Sequence, residues 1–157
     1  MAAGNDAPTL LIVHHTVSQR TRRMLEAVLA GANEDEIEGV RVVEKAALEA
    51  GVDDVLAAQG FILGTPANIG YMSGALKHFF DQVYYPCREQ TAGSPYGLYV
   101  HGNLDLTGCL RAVRTCTTGM MWEQAYDDVQ VLEEPSEADL ERCWELGGTL
   151  AARLMPG

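Results

Sequence analysis

The sequence predicts a three-layer α/β domain, in which helices cover both faces of one parallel sheet. Three observations predict it: five short apolar runs, helical patterns between successive runs, and a length of 157 residues, which suits a single core. With 47% hydrophobic and 21% charged residues, the composition is that of a globular chain. We expect the domain to span residues 9–157, after a flexible tail of residues 1–8.

The first half of the chain alternates between strand and helix patterns. Residues 9–14 form a nearly continuous apolar run, which is typical of a strand covered on both faces. From residue 21 apolar residues recur at helical spacing, and Gly31 with Asn33 supplies a stop signal. In chain order, the patterns predict a strand over 9–14, a helix over 21–32, a strand over 40–43, a short helix over 52–56 and a strand over 60–64.

The second half continues this alternation. Apolar residues at helical spacing predict a helix from residue 72, which we expect Pro86 to end because proline cannot continue a helix. The last helix opens with Ser136, and Asp139 three residues later makes a near capping box. Between these two helices, the patterns predict a strand over 96–101, a helix from about 107 and a weak strand around Val129 and Val131.

The charge distribution is uneven. The net charge of −11 argues against a nucleic-acid or anionic-membrane surface, both of which need clustered Lys and Arg. Near the start, Arg20, Arg22 and Arg23 make a locally basic spot, which indicates either an anion site or a solvated helix face. From Trp122 onward, nine acidic residues face two arginines; this region is either a solvated face or a surface that attracts basic partners.

Several classes of protein are disfavoured. No apolar run approaches the roughly 20 residues that span a bilayer, and residues 1–8 do not resemble a secretory signal, so we expect a cytoplasmic protein without membrane insertion. The four cysteines form no Cys-x-x-Cys pair and no metal-ligand spacing, so we expect reduced thiols in the core and no metal. No Gly-x-Gly-x-x-Gly follows the first strand and no Walker A motif occurs, which disfavours Rossmann dinucleotide enzymes and P-loop NTPases.

Ligands in such sheets bind at the carboxyl ends of the strands, so the segments after strands one, three and four are the informative ones. Residues 15–21 (HTVSQRT) run directly into a helix, where hydroxyl and amide donors at the positive end of the dipole favour a phosphate. The same hydroxyls could serve only as a helix cap. After strand three, glycines, a proline and small side chains allow backbone groups to approach a flat heterocycle.

Residues 64–81, GTPANIGYMSGALKHFFD, resemble the FMN-contacting segment of flavodoxin-like NAD(P)H:quinone oxidoreductases and NADPH-dependent FMN reductases. Residues 16–21, TVSQRT, resemble the flavodoxin pattern Thr-x-Ser/Thr-Gly-x-Thr, with Gln19 where glycine is usual. Two further positions depart from the quinone reductases: Ile69 stands where an aromatic residue is frequent, and Thr117-Thr118 replaces a histidine pair.

The resemblance implies a flavodoxin-like fold whose five parallel strands are ordered 2-1-3-4-5, with FMN as cofactor. It implies that the FMN phosphate contacts Thr16, Ser18, Gln19, Arg20 and Thr21. It assigns the isoalloxazine ring to Pro66, Ala67, Asn68, Ile69 and Gly70 on one side and to His101, Gly102, Asn103 and Asp105 on the other. His101 is the candidate catalytic residue, as a hydrogen-bond donor toward the ring.

The resemblance implies an oxidoreductase that passes electrons from NAD(P)H through FMN to a small-molecule acceptor such as a quinone or free flavin. Related enzymes assemble as dimers or tetramers, which implies a homo-oligomer here. Two alternatives stay open: a flavodoxin-type electron carrier that docks on a basic partner, and a flavodoxin-fold interaction module that binds no flavin.

Overall fold

The computed structural model describes residues 6–157, so most of the predicted tail, residues 1–5, lies outside the described residues. Strands and helices alternate along the rest of the chain, as the apolar runs predict. In chain order they are β1 (Thr9–His14), α1 (Gln19–Ala32), β2 (Arg41–Ala46), α2 (Val52–Leu56), β3 (Gly60–Asn68), β4 (Tyr71–Met72), α3 (Gly74–Cys87), β5 (Pro95–Gly102), α4 (Thr107–Gly119), β6 (Glu123–Gln124), β7 (Val129–Leu132) and α5 (Glu137–Arg153).

The main sheet is parallel and has the order β2-β1-β3-β5, with β6 and β7 both paired to β5 at the outer edge. This order confirms the expected 2-1-3-4-5 arrangement, in which β6 and β7 together form the fifth strand. That strand is interrupted: β6 pairs with the start of β5 at Pro95, and β7 pairs with its end at Gly102. Between them, the amide nitrogen Nε2 of Gln124 donates to Asp128, which also pairs with Arg114.

The third strand is longer than predicted. It continues to Asn68 and turns through Ile69 and Gly70 into the antiparallel strand β4. Both turn residues have positive φ, 50° and 74°, which is the signature of a two-residue type I′ hairpin. The hydroxyl oxygen of Thr65 fixes this hairpin, because it accepts from the Ser73 amide at 3.0 Å and donates to the Pro66 carbonyl at 2.8 Å.

The helix boundaries agree closely with their cap signals. Ser73 caps α3 by accepting a hydrogen bond from the Leu76 amide, and Ser136 with Asp139 forms the predicted capping box at the start of α5. The prediction that Pro86 ends the third helix was wrong by one residue, because α3 includes Pro86 and ends at Cys87. Proline lacks an N–H group and removes one helical hydrogen bond, a loss that the last turn of a helix tolerates, so α3 includes Pro86 before it ends.

Two apolar layers enclose the sheet. Alternate strand residues such as Leu10 and Ile12 face α1 and α5, whereas their neighbours Leu11 and Val13 face α2, α3 and α4. The four cysteines are free, as expected, and three of them are buried; burial raises the pKa of the Cys143 thiol to about 12. Among residues 6–157, no helix has the length and apolar character needed to cross a bilayer.

Candidate functional site

The sheet brings the carboxyl ends of β1, β3 and β5 to one edge. His14, the last residue of β1, is paired with Gly64 of β3, which in turn is paired with Tyr99 of β5. The three predicted ligand segments leave the sheet beyond these positions, so they lie side by side. This edge is the candidate site.

A capping box shapes the segment after β1. The Ser18 hydroxyl oxygen accepts from the Thr21 amide at 3.1 Å, and the Thr21 hydroxyl oxygen accepts from the Ser18 amide at 3.1 Å. The Thr21 hydroxyl also donates to the Ser18 carbonyl at 3.0 Å, and the residue is buried. Thr21 therefore builds the helix start with its side chain. The amides of Gln19 and Arg20, in the first turn of α1, have no helical carbonyl to bind and remain as donors.

The hydroxyl of Thr16 belongs to a second hydrogen-bonded group. Its oxygen lies 2.8 Å from Nδ1 of His14, and Nε2 of the same ring lies 2.5 Å from the Glu44 carboxylate on β2. His14 is buried, while Thr16 is half-buried beside the start of α1. The sheet thus fixes the hydroxyl of Thr16 through a histidine side chain.

Arg20 connects the first segment with two others. Its Nη1 donates to the side-chain oxygen of Asn103, after β5, at 3.2 Å, and its Nε lies 3.3 Å from Glu134, after β7. Arg23 pairs with the other oxygen of the same Glu134 carboxylate at 2.5 Å. These ion pairs are exposed, so each contributes little to stability. They do, however, offset part of the positive charge at the start of α1.

A cleft of about 190 Å³ lies between the hairpin turn and the segment after β5. The Ile69 side chain is fully exposed, at 105% of its reference area, and Leu104 opposite it is 86% exposed. The cleft is smaller than the 300–1,000 Å³ typical of small-molecule pockets, so a larger ligand would keep one edge in solvent. Its lining residues are Ala67, Ile69, Gly70, Gly102, Asn103, Leu104 and Asp105.

Close packing at Gly102 and hydrogen bonds of Asp105 fix the walls of this cleft. A Cβ atom on Gly102 would lie 2.6 Å from Cδ2 of Leu106 and 3.3 Å from Cβ of Ala67, so the absence of a side chain at Gly102 lets these two residues pack directly against the end of β5. The Asp105 carboxylate accepts hydrogen bonds from the amide of Thr107 at 3.0 Å and from its hydroxyl at 2.7 Å. These two bonds lower the pKa of Asp105 and fix the turn that leads into α4.

Not every predicted site residue lies at the cleft. Pro66 is buried within β3 and is paired with His101 of β5, and Asn68 is exposed at the end of β3 but does not line the cleft. His101 is also buried, and its Nε2 donates to the backbone carbonyl of Glu133 at 2.7 Å. The structure therefore places the His101 side chain in a structural hydrogen bond to the segment after β7.

Sequence reasoning missed three residues of this region. Leu104 lines the cleft, and an apolar residue within a predicted loop was the available signal. Glu134 pairs with both arginines, and Glu44 holds His14, but both carboxylates are distant in sequence from their partners. No local pattern marks such pairings.

Two further depressions are relevant. One of about 360 Å³ adjoins the cleft, sharing Leu104 and Asp105 with it and extending to Gln130 and Leu132 on β7. The other, of about 380 Å³, lies between α1 and α5 and is lined by Gly31 and Trp144. Gly31 lies 12 residues after Gln19, the first residue of α1, which is about 18 Å along the helix axis. This cavity is therefore separate from the candidate site.

Comparison with known proteins finds no family model that matches the chain. A curated flavodoxin from Aquifex aeolicus (strain VF5) is 39% identical over 74 residues, a match that spans 47% of this chain and 39% of that flavodoxin.

Solved structures match over nearly the whole chain. A flavodoxin from the domain Archaea has a TM-score of 0.78 at 18% identity, with 93% of this chain and 98% of that one covered. A WrbA-like flavodoxin from Agrobacterium tumefaciens has a TM-score of 0.74 at 22% identity, and the match covers 95% of this chain and 99% of that one. An oxidoreductase from Corynebacterium diphtheriae has a TM-score of 0.72 at 18% identity, and the match covers 94% of this chain and 96% of that one. The order of the strands and these likenesses agree: the protein has the flavodoxin-like fold.

Proposed function

We propose that the protein binds FMN at the carboxyl edge of its sheet and transfers electrons through it. The observation that carries this proposal is the contact between Arg20 and Asn103, 3.2 Å from nitrogen to oxygen. It brings the start of α1, which suits a phosphate, next to the cleft between the hairpin turn and Leu104. The two ends of one elongated ligand could therefore be held by adjacent segments.

The donors at the start of α1 fit a phosphate group. The free amides of Gln19 and Arg20 lie at the positive end of the helix dipole, where a dianion is favoured. The half-buried hydroxyl of Thr16 and Nη2 of the Arg20 guanidinium can add donors, and the exposed hydroxyl of Ser18, now 3.0 Å from the Thr21 hydroxyl, can turn to do the same. The buried Thr21 supports this arrangement through the capping box rather than through direct contact.

The cleft suits a flat ring system that keeps one edge in solvent. Ile69 and Leu104 present exposed aliphatic side chains on its two sides, and Gly70 and Gly102 leave the backbone accessible. When bound, FMN would supply the one- and two-electron chemistry, and the protein would orient the ring and exclude water from part of it. No acid or base side chain is required for that role.

The finer proposal is that NAD(P)H supplies the electrons and that a small acceptor, such as a quinone or free flavin, receives them. The depression of about 360 Å³ beside the cleft supports it, because it is large enough for a small second substrate. Its apolar wall comes from Leu104, Leu106 and Leu132, and Gln130 and Thr107 add polar groups.

A flavodoxin-type electron carrier is the second candidate. The local match to the Aquifex flavodoxin favours it, and so does the acidic region from Trp122 onward, which would attract a basic redox partner. The carrier would use the same cleft but no second substrate site.

Rapid mixing under anaerobic conditions tests these alternatives. The protein is saturated with FMN, freed of excess cofactor and mixed with NADPH or NADH while the flavin absorbance is followed. Bleaching on the timescale of turnover supports the oxidoreductase. Bleaching that is slow with both nucleotides, but fast with a flavodoxin reductase, supports the carrier. A colourless protein that does not retain added FMN overturns the proposal.

A further inference from the structure

His14 makes two hydrogen bonds that fix its ring. Its Nε2 lies 2.5 Å from Glu44, and its Nδ1 lies 2.8 Å from the hydroxyl oxygen of Thr16. An ionised carboxylate only accepts hydrogen bonds, so Nε2 carries a hydrogen that points to Glu44. The proton state of the ring is then decided at Nδ1, the atom that faces Thr16.

The direction of the bond to Thr16 depends on that state. In the neutral ring, Nδ1 has a lone pair and takes the hydroxyl hydrogen of Thr16, which leaves only oxygen lone pairs toward the start of α1. In the charged ring, Nδ1 carries a hydrogen and donates it to the Thr16 oxygen. The hydroxyl hydrogen of Thr16 is then free to point at an anion.

We infer that His14 is a positioning residue for anion binding, which in its doubly protonated form turns the Thr16 hydroxyl into a phosphate donor. This inference rests on the proposed binding of FMN. A phosphate dianion at the start of α1 would favour the donating orientation of Thr16, so its binding would draw one proton from solvent onto Nδ1.

The carboxylate of Glu44 is placed to pair with a positive His14 ring. The apolar cluster on the same face of the sheet includes Met24 on α1, Tyr99 on β5 and Cys143 on α5, and the charged side chains of Arg20 and Arg23 on α1 pair with Glu134. Burial raises the pKa of both the Tyr99 hydroxyl and the Cys143 thiol, so neither becomes an anion near neutral pH. The side chain of Glu44 is 43% exposed and stays hydrated while it pairs.

Two substitutions of His14 separate its contacts. In His14→Asn the side-chain amide lies near the position of Nδ1 and can donate permanently to Thr16. In His14→Gln the amide reaches the position of Nε2 and keeps only the contact with Glu44. Variants His14→Asn, His14→Gln and Glu44→Gln are titrated with FMN and with riboflavin, which lacks the phosphate. Calorimetry in two buffers of different ionisation enthalpy gives the protons taken up. Glu141→Gln, at an exposed position of α5, makes the same charge change as Glu44→Gln and is the matched control.

We expect His14→Gln to weaken FMN binding about tenfold without changing riboflavin binding, because one charge-assisted hydrogen bond is lost. His14→Asn is expected to keep most of the FMN affinity but to lose the proton uptake. Glu44→Gln is expected to reduce both the FMN affinity and the proton uptake. The Glu141→Gln variant should match the unmodified protein.

An equal loss of FMN and riboflavin affinity in His14→Gln would show a merely structural role and overturn the inference. Proton uptake that persists in His14→Asn would overturn it as well. If His14→Gln does not fold, Glu44→Gln decides, since its partly exposed side chain is not part of the core. Failure of the proposed function looks different, because the unmodified protein then binds neither FMN nor riboflavin.

Discussion

Gly108, in the first turn of α4, lies directly against the carbonyl oxygen of Gly70 in the hairpin turn. A Cβ atom at position 108 would be 2.0 Å from that oxygen, a distance at which the backbone has to move. The turn that forms one wall of the cleft is therefore set by how closely α4 can approach it.

Gly108→Ala is expected to displace the hairpin turn and to weaken FMN binding tenfold or more. It should also lower the free energy of unfolding by about 1–3 kcal/mol, as overpacking usually does. Fluorescence titration and chemical denaturation measure the two effects. Gly74→Ala is the control, because a Cβ there meets nothing within 4 Å; unchanged FMN affinity in Gly108→Ala would show that the turn does not contact the ligand.

Removing the charge of Glu134 is expected to strengthen phosphate binding. The Glu134 carboxylate pairs with both Arg20 and Arg23, so Glu134→Gln leaves two arginines free to attract an anion. We expect FMN affinity to rise several-fold at low salt and the gain to shrink at high salt, since exposed charges are screened. Glu141→Gln makes the same charge change at another exposed position. An equal gain in that control would point to net charge alone.

Ile69 combines a strained backbone with an exposed side chain. Its φ of 50° is unfavourable for a β-branched residue, so Ile69→Gly should raise the free energy of unfolding by about 1 kcal/mol. The same change should weaken FMN binding, because the aliphatic wall of the cleft is lost. Met121 has a φ of 62° and does not line the cleft, so Met121→Gly is expected to raise the free energy of unfolding without changing the FMN affinity. Full FMN affinity in Ile69→Gly would remove Ile69 from the site.

The hydroxyl of Tyr99 is buried without a hydrogen-bond partner among the described residues. Leaving such a group unpaired costs about 1–3 kcal/mol, so Tyr99→Phe should raise the free energy of unfolding by about 1 kcal/mol or more. The ring itself has to stay, because it covers Gly64, where a Cβ would lie 2.0 Å from the ring carbon Cζ. Urea denaturation checks this expectation, and a destabilised Tyr99→Phe variant would reveal a partner for the hydroxyl.

The regular part of the fold could be predicted from local patterns. The apolar run of β1, the cap at Ser136 and the helical spacing in α1 each follow from a few neighbouring residues. The extension of β3 could not, because the Gly-Thr-Pro sequence reads as a loop and only pairing with β5 makes it a strand. The two-residue strand β6 likewise has no pattern of its own and exists through its pairing with Pro95 and Tyr96.

The segments around the candidate cleft could be predicted in part. The position of the segments followed from the sheet, and Ala67 to Gly70, Gly102, Asn103 and Asp105 lie around the cleft, apart from Asn68. The roles of individual side chains depended on distant partners: Arg20 meets Asn103 across 83 positions, and His101 is held by a carbonyl 32 positions away. Such contacts are properties of the folded chain.

A crystal structure of the protein grown with saturating FMN tests the central claim most directly. The account predicts the phosphate at the start of α1, within hydrogen-bond distance of the amides of Gln19 and Arg20 and of the Thr16 hydroxyl, and the ring between Ile69 and Leu104. FMN bound elsewhere, for example between α1 and α5 beside Trp144, or no bound FMN at a saturating concentration, would contradict it.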